Sequence, residues 1–410
     1  MLKGFWIRNF KSLRQVGIGS CFSKFVFVNL EQDDEALRPH DLGAVTLFTG
    51  ANGTGKSSAI DAFNFVSDSY RHGVDVACLK RGGFETIYSQ GGKGPLSFGF
   101  QYRQKGESDT VTYALSIYRT KNKVPFIESE VLAYQRGDES LPIIFLQNGA
   151  EKSIRYLAPD ERLTNAELTQ IEFTDHNHLG LAALDSHPKY PVLASLRAFF
   201  EDWTLCSFTP DPARGLDASL PRRQESPRGV SLSGVVRYII KRYKNNLRPL
   251  LSRVAAAIPN VEHILLDNSD PEKPYLSFQL LERDNPVPIT HLSSATIRLF
   301  TYALLLEEEN PAPLIALEEP ENSFDREHRG KIVETFRRFE ATLHQDTSQV
   351  FATSHHPAIA NGLHPSKVWI FEKDRDGFTA VERASDSILF QSEDEQNDPD
   401  WFSLYFDEKR

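Results

Sequence analysis

Gly50-Ala51-Asn52-Gly53-Thr54-Gly55-Lys56-Ser57 decides how this chain is read. It fits the pattern G-x-x-x-x-G-K-[ST] at every position, and the residue types have physical jobs. Gly50, Gly53 and Gly55 let the backbone wrap a phosphate with its N–H groups pointing inward. Lys56 reaches toward the β- and γ-phosphates of a nucleotide, and Ser57 supplies an oxygen to Mg²⁺. Asn52, Thr54 and Ser58 complete the nucleotide-binding set. Ahead of the motif, Ala44–Phe48 is a run of β formers that reads as a buried strand. Behind it, Ile60, Phe63 and Val66 share one side of a helix whose N-terminus favours negative charge. A strand, a glycine-rich turn and a helix in that order make ATP and Mg²⁺ the expected ligands.

A second element must hold the metal and activate water. Leu314-Ile315-Ala316-Leu317 is short and apolar, as a strand buried on both faces should be. Glu318 and Glu319 follow at its C-terminal end, where ligands bind in open α/β sheets. One carboxylate can serve the metal and the next the attacking water. A solvated acidic turn has the same composition, and the phosphate loop upstream favours the functional reading. ATP hydrolysis to ADP and phosphate is the expected reaction, at a slow rate.

Elsewhere the pattern divides the chain. Gly4–Phe10 and Lys24–Leu30 read as strands, and short alternating runs between about residues 95 and 160 read as antiparallel strands. A helix is expected over Pro191–Phe200, with the proline in its first turn. Residues 205–232 carry Pro210, Pro212, Pro221 and Pro227 and read as a long surface loop. Apolar residues from Val235 to Val254 recur with helical period, with a kink or an interruption expected at Pro249. The last third alternates: a strand at Tyr275–Leu281, a helix over Ser294–Glu309, a strand at Leu314–Leu317, a helix over Glu327–His344, and strands at Gln349–Thr353 and Val368–Phe371. Such alternation indicates a parallel sheet with helices on its faces. The expected division is 1–175 for an N-terminal lobe with the phosphate loop and a β subdomain, 176–290 for a helical insertion, 291–385 for a C-terminal lobe, and 386–410 for an acidic tail. The aromatic end of that tail is a candidate partner dock.

Composition sets bounds. The 410 residues are 40% hydrophobic and 25% charged, an ordinary globular balance. No apolar run is long enough to span a bilayer, and the N-terminus has no secretion-signal pattern. Cys21, Cys78 and Cys206 are widely separated and read as free thiols, which makes the cytoplasm the expected location. A net charge of −10 argues against a surface coated in nucleic acid, though a local basic patch remains compatible with it.

Taken together these motifs resemble an ABC-type ATPase of the RecF, SMC and OLD-like group, the compact ATPases of bacterial defence operons. IRNFKSL matches the strand and turn with which such proteins begin. THLSSATIRLF matches the signature opening a helix, LIALEEPENSFD the Walker B strand and D-loop, and VFATSHHP the strand ending in the switch histidine. RGGFETIYSQGG and LRAFFEDWTLCSFTPDPAR resemble linking segments. The resemblance implies an α/β P-loop NTPase fold: an ABC-ATPase head with a mixed central sheet, an antiparallel β subdomain and a helical lobe. It implies Glu318 as a metal ligand, Glu319 as the general base and His355 as the γ-phosphate contact, with His356 the competing choice. Asn322 and Ser323 would lie in the D-loop, and Lys11 and Ser12 near the nucleotide. Gln101 is a candidate metal-side glutamine, with Gln90 competing. Ser293, Ser294 and Ala295 take the signature positions. Relatives carry glycine where Ala295 stands, which is the reason to expect slow hydrolysis or a weak dimer.

In this group ATP is held between two copies, so a homodimer through an ATP sandwich is implied. Three roles follow. The first is a sensor or regulator in an anti-phage module with a separately encoded effector, a nuclease or toxin. The second is a RecF-like or SMC-like repair ATPase that binds duplex DNA; Arg237, Lys241, Arg242, Lys244, Arg248 and Arg253, with Arg214, Arg222, Arg223 and Arg228 ahead of them, would be its basic stripe. The third, a transporter ATPase, fits poorly because Ser57 and Ser293 lie too far apart. The stretch after His355 is too short for a nuclease domain, so any nuclease acts in trans.

Overall fold

A computed structural model describes residues 1–20, 41–103, 110–136, 139–147, 153–156, 170–171, 177–183, 191–207, 243, 247–267, 275–308, 311–322, 324–341, 348–387 and 400–403. Its strands in chain order are β1 (Leu2–Phe10), β2 (Leu13–Gly19), β3 (Val45–Thr49), β4 (Leu96–Arg103), β5 (Thr110–Arg119), β6 (Pro125–Arg136), β7 (Glu139–Gln147), β8 (Ser153–Tyr156), β9 (Gln170–Ile171), β10 (Thr204–Ser207), β11 (Val261–Asp267), β12 (Tyr275–Leu280), β13 (Val287–Pro288), β14 (Leu314–Glu318), β15 (Gln349–Ser354), β16 (Val368–Lys373) and β17 (Thr379–Arg383). The chain divides into two compact units. One comprises Met1–Gly43, Gly50–Trp203 and Trp369–Glu382, the other Ala44–Thr49, Thr204–Val368 and Arg383–Arg410.

The first unit is built on an antiparallel sheet in the order β2-β1-β4-β5-β6-β7-β8-β9. The helix Lys56–His72 packs through aromatic side chains. Phe63 stands edge-on to Phe5 at 4.7 Å and to Trp203 at 5.0 Å, and Phe65 stacks on Phe98 at 5.2 Å. Phe199 and Phe200, from the helix Pro191–Glu201, join the same cluster and are fully buried. Burying each such ring stabilises the fold by about 2–3 kcal/mol, which fixes where the helix sits. A carboxyl lies within this core: Glu130 is fully buried and accepts from the Tyr113 hydroxyl and the Gly180 and Leu181 N–H groups. Cys78 is buried and free, and burial pushes its thiol up to about 12. Such a thiol is inert at neutral pH.

The second unit carries a parallel sheet in which β10 pairs β14, β14 pairs β15, and β15 pairs β3. These strands are apolar, as buried strands of a parallel sheet are. Phe48 on β3 meets Phe351 on β15 at 5.4 Å, and Leu47, Ile315, Leu317 and Val350 are fully buried or nearly so. The helices Ser294–Leu306 and Arg326–Ala341 belong to this unit, as does a small antiparallel sheet of β11, β12 and β13.

The stretch expected to be loop from residue 205 begins as β10, which extends the parallel sheet. Pro249, the site of the expected kink or interruption, sits in the first turn of the helix Leu247–Ala256, where its missing N–H costs nothing. At the aromatic end of the tail, Leu404, Tyr405 and Phe406 lie outside the described residues, and the two aromatic residues before them are packed within the chain. Trp401 and Phe402 are buried, Trp401 Nε1 donates to Leu363 O at 3.2 Å, and Phe402 N donates to Asn361 Oδ1 at 2.8 Å. The expected strand Lys24–Leu30, the helix before residue 243 and the acidic stretch of the tail before Asp400 lie outside the described residues. Among the described residues no helix is long and apolar enough to cross a membrane.

Candidate functional site

The phosphate loop has backbone that only glycine adopts easily. Gly50, Gly53 and Gly55 have φ of 142°, 79° and 109°, all in the left-handed half of the map. A Cβ on Gly50 would collide with Phe371 O, and one on Gly55 with Thr379 Oγ1, so the loop lies directly on β16 and β17. Gly55 is the N-cap of the helix Lys56–His72, and no side chain caps it. Lys56 is buried, with Nζ 2.7 Å from Gly50 O and 2.8 Å from Ala51 O. A cation above glycine-rich backbone at an uncapped helix N-terminus fits a polyphosphate. Asn52 and Ser57 are exposed, Ser58 is half-buried, and Thr54 is buried with Oγ1 donating to Ala51 O at 2.8 Å.

Two contacts behind this loop have no sequence signal. Thr379 Oγ1 lies 2.7 Å from Thr54 O and 2.9 Å from Ser12 Oγ, and Thr379 N donates to Ser12 O at 3.0 Å. Thr379 thus ties the loop to the turn between β1 and β2. Beside Ser12, Lys11 has φ 53° and places Nζ 2.7 Å from Asp61 on the loop's helix. Arg81 makes further ion pairs with Asp61 at 2.8 Å and Asp68 at 3.0 Å.

The two candidate glutamines separate. Gln101 pairs with Gly4 on β1, and Gly4 is six residues of strand away from Phe10, about 20 Å from the turn that holds Ser12. Gln90 lies next to that turn: Arg14 Nη2 donates to Gln90 O at 3.0 Å, and Ser89 Oγ donates to Lys11 O at 2.7 Å. The register thus places Gln101 away from the Ser12 turn and Gln90 beside it.

In the second unit, strand register gathers the remaining candidates at one end of the parallel sheet. Glu318 is level with Thr353, and Ser354 is level with Thr49, the residue before Gly50. Glu319 has φ 43°, rare for a non-glycine residue and worth about 1 kcal/mol or more of strain. It is held there by its own N–H, which donates to Thr353 O at 3.1 Å and lies 3.0 Å from Thr353 Oγ1. Its carboxylate accepts from Asn322 Nδ2 at 2.6 Å, and His355 Nδ1 stands 3.6 Å from its other oxygen. His356 instead caps the short helix Pro357–Asn361, its Nδ1 accepting from Ala358 N at 3.1 Å. Burial, with Arg329 and His355 nearby, lowers the His356 pKa. Glu318 is half-buried at the strand end, and a carboxylate there is a hard-oxygen donor of the kind Mg²⁺ takes.

Ser293 is the N-cap of the helix Ser294–Leu306, its Oγ accepting from Thr296 N at 3.1 Å. Ser294 is exposed, and Ala295 sits in the first helical turn with no positive φ, so its methyl imposes no backbone strain. From the same helix the buried Arg298 donates to Asn322 O at 2.6 Å. Of the basic stripe, Arg248 is exposed and Arg253 pairs with Glu307 at 3.4 Å. The rest of the stripe, and Ser323 of the D-loop, lie outside the described residues.

The sequence profile of the family described as "AAA domain, putative AbiEii toxin, Type IV TA system" matches residues 45–361. Among solved structures, the chain is similar to the SMC head bound to the C-winged helix domain of ScpA, with 13% identity, a TM-score of 0.52, and coverage of 93% of this chain and 96% of that one. The SMC head domain from Thermotoga maritima aligns with 15% identity, a TM-score of 0.44, and coverage of 93% and 98%. At 13% identity the first of these likenesses speaks to the fold alone. No curated protein matches the chain.

Proposed function

Because the chain belongs to the family described as AAA domain, putative AbiEii toxin, Type IV TA system, we propose that it is an ABC-type ATPase acting in the cytoplasm as the nucleotide-gated regulator of a bacterial anti-phage module. The observation that carries the reading is the arrangement around Glu319: a strained residue at a strand end, oriented by Asn322 and faced by His355. Strain kept at one carboxylate, with two partners fixing it, is what a general base for water needs.

The roles follow from chemistry at each atom. The loop N–H groups and Lys56 bind the β- and γ-phosphates of ATP. Ser57 and Glu318 would hold Mg²⁺, which would neutralise charge on the phosphate oxygens. Glu319 takes the proton from the attacking water, and His355 donates to the γ-phosphate. The signature residues Ser293, Ser294 and Ala295 lie at the N-terminus of an uninterrupted helix, an end that favours an anion. In a homodimer that end meets the γ-phosphate held by the other copy, so ATP binds the closed pair and hydrolysis releases it. The effector, a nuclease or toxin, is encoded separately.

A second reading, a DNA-maintenance ATPase, has one observation behind it. Arg326, Arg329 and Arg337 line a groove of about 500 Å³ with His356. Affinity for duplex DNA that falls steeply with salt would favour it over the first. Phosphate release from ATP by the wild type and by Lys56→Ala tests the ATPase reading: turnover lost with Lys56 supports it, and turnover that survives the substitution overturns it.

A further inference from the structure

Glu321 plays no part in the roles above, yet it is the most enclosed carboxyl at this end of the sheet. It is 3% exposed, against a half-buried Glu319. Its Oε1 accepts from Ser354 Oγ at 2.5 Å and from the His355 backbone N–H at 3.3 Å. His355 Nδ1 stands 4.0 Å from the same oxygen. Oε2 is fully buried and makes no hydrogen bond among the described residues. Burial raises the pKa of this carboxyl. A buried polar atom without a partner costs stability, so its retention calls for a reason.

We propose that Glu321 is a positioning residue for His355, binding the end of β15 to the segment after β14 so that the imidazole stays in reach of Glu319 and of the γ-phosphate. The inference rests on the ATPase reading. Glu321 and Glu319 flank one proline, and both reach the same histidine, Glu319 at its ring and Glu321 at its backbone. Thr353 is already tied to the Glu319 N–H, and beyond it the Oε1 anchor is the bond that reaches the His355 amide itself. A histidine misplaced by about 1 Å costs rate without costing nucleotide affinity, because the loop and Lys56 still hold the phosphates.

The required part of Glu321 is an acceptor oxygen, not a charge. Glu321→Gln keeps that oxygen and places an amide where Oε2 stood, and Glu321→Ala removes both. Ser354→Ala breaks the same bond from the other side, should Glu321→Ala fail to fold. Steady-state hydrolysis is read beside hydrogen exchange of the ATP-free protein over residues 354–358. The expected result is a kcat lowered about tenfold to a hundredfold in Glu321→Ala, with KM within about twofold and faster exchange of the His355 amide. Ser354→Ala moves the same way, and Glu321→Gln stays within about threefold of wild type in all three. Wild-type kcat and exchange in Glu321→Ala or Ser354→Ala would overturn the proposal, as would a Glu321→Gln as slow as Glu321→Ala. A wild type without turnover would instead sink the ATPase reading on which it rests.

Discussion

Asn322 donates from its side-chain amide to Glu319 Oε2 at 2.6 Å, and its backbone N–H donates to Glu319 O at 3.0 Å. The pair closes a tight turn after β14 and leaves one carboxylate oxygen facing His355. A base must be oriented as well as basic, so Asn322→Ala should lower kcat for ATP about tenfold while KM changes less than about twofold. Steady-state phosphate release is the check. An unchanged kcat would mean that Glu319 does not depend on this contact.

Thr379 should matter for binding rather than turnover. Its hydroxyl reaches Thr54 O and Ser12 Oγ behind the phosphate loop. Thr379→Val keeps the shape and removes the hydroxyl. Losing bonds worth about 1 kcal/mol each should weaken ATP affinity about tenfold. Titration with a fluorescent ATP analogue measures this, and wild-type affinity in the variant would refute it.

Ser293 has two separable jobs. As a helix cap it is worth about 1 kcal/mol, which Ser293→Ala loses and Ser293→Asp keeps. An aspartate there would also set a negative charge against the γ-phosphate of the other copy. Ser293→Asp should therefore melt near the wild-type temperature yet hydrolyse ATP at least about tenfold more slowly. Wild-type hydrolysis by Ser293→Asp would leave Ser293 as a cap alone.

Glu130 gives a prediction about pH. Its carboxyl is raised above its ordinary value by burial, although Tyr113, Gly180 and Leu181 oppose the shift. A carboxyl raised on folding contributes stability that is present below its unfolded pKa and is lost as pH rises through the folded one. Glu130→Gln abolishes that dependence. The melting temperature of the wild type minus that of Glu130→Gln should fall as pH rises from about 4.5. A difference that is flat or rises with pH over that range would contradict the direction of the shift.

What the sequence conveyed follows the range of the interactions. The order of strand, loop and helix around Gly50–Ser57 is local, and so is the apolar run that becomes β14; both were legible in the residues themselves. Thr379 was not, since its partners Ser12 and Thr54 lie at the other end of the chain and no periodicity links them. Choosing between Gln90 and Gln101 needed the register of β4 on β1, which is set by tertiary pairing. Glu321 has no motif to single it out, and its burial and its bond to Ser354 arise from tertiary packing. Trp401 and Phe402 read as an exposed aromatic end because composition does not reveal that Asn361 and Leu363 receive them.

In the proposed cycle ATP gates the association of two copies and Glu319 ends each round. Solution mass by light scattering, with and without ATP–Mg²⁺, on the wild type and Glu319→Gln, tests it most directly. ATP is expected to raise the mass to that of a dimer and Glu319→Gln to hold this state, because the nucleotide is bound but not hydrolysed. A mass that does not respond to ATP in either protein would contradict it.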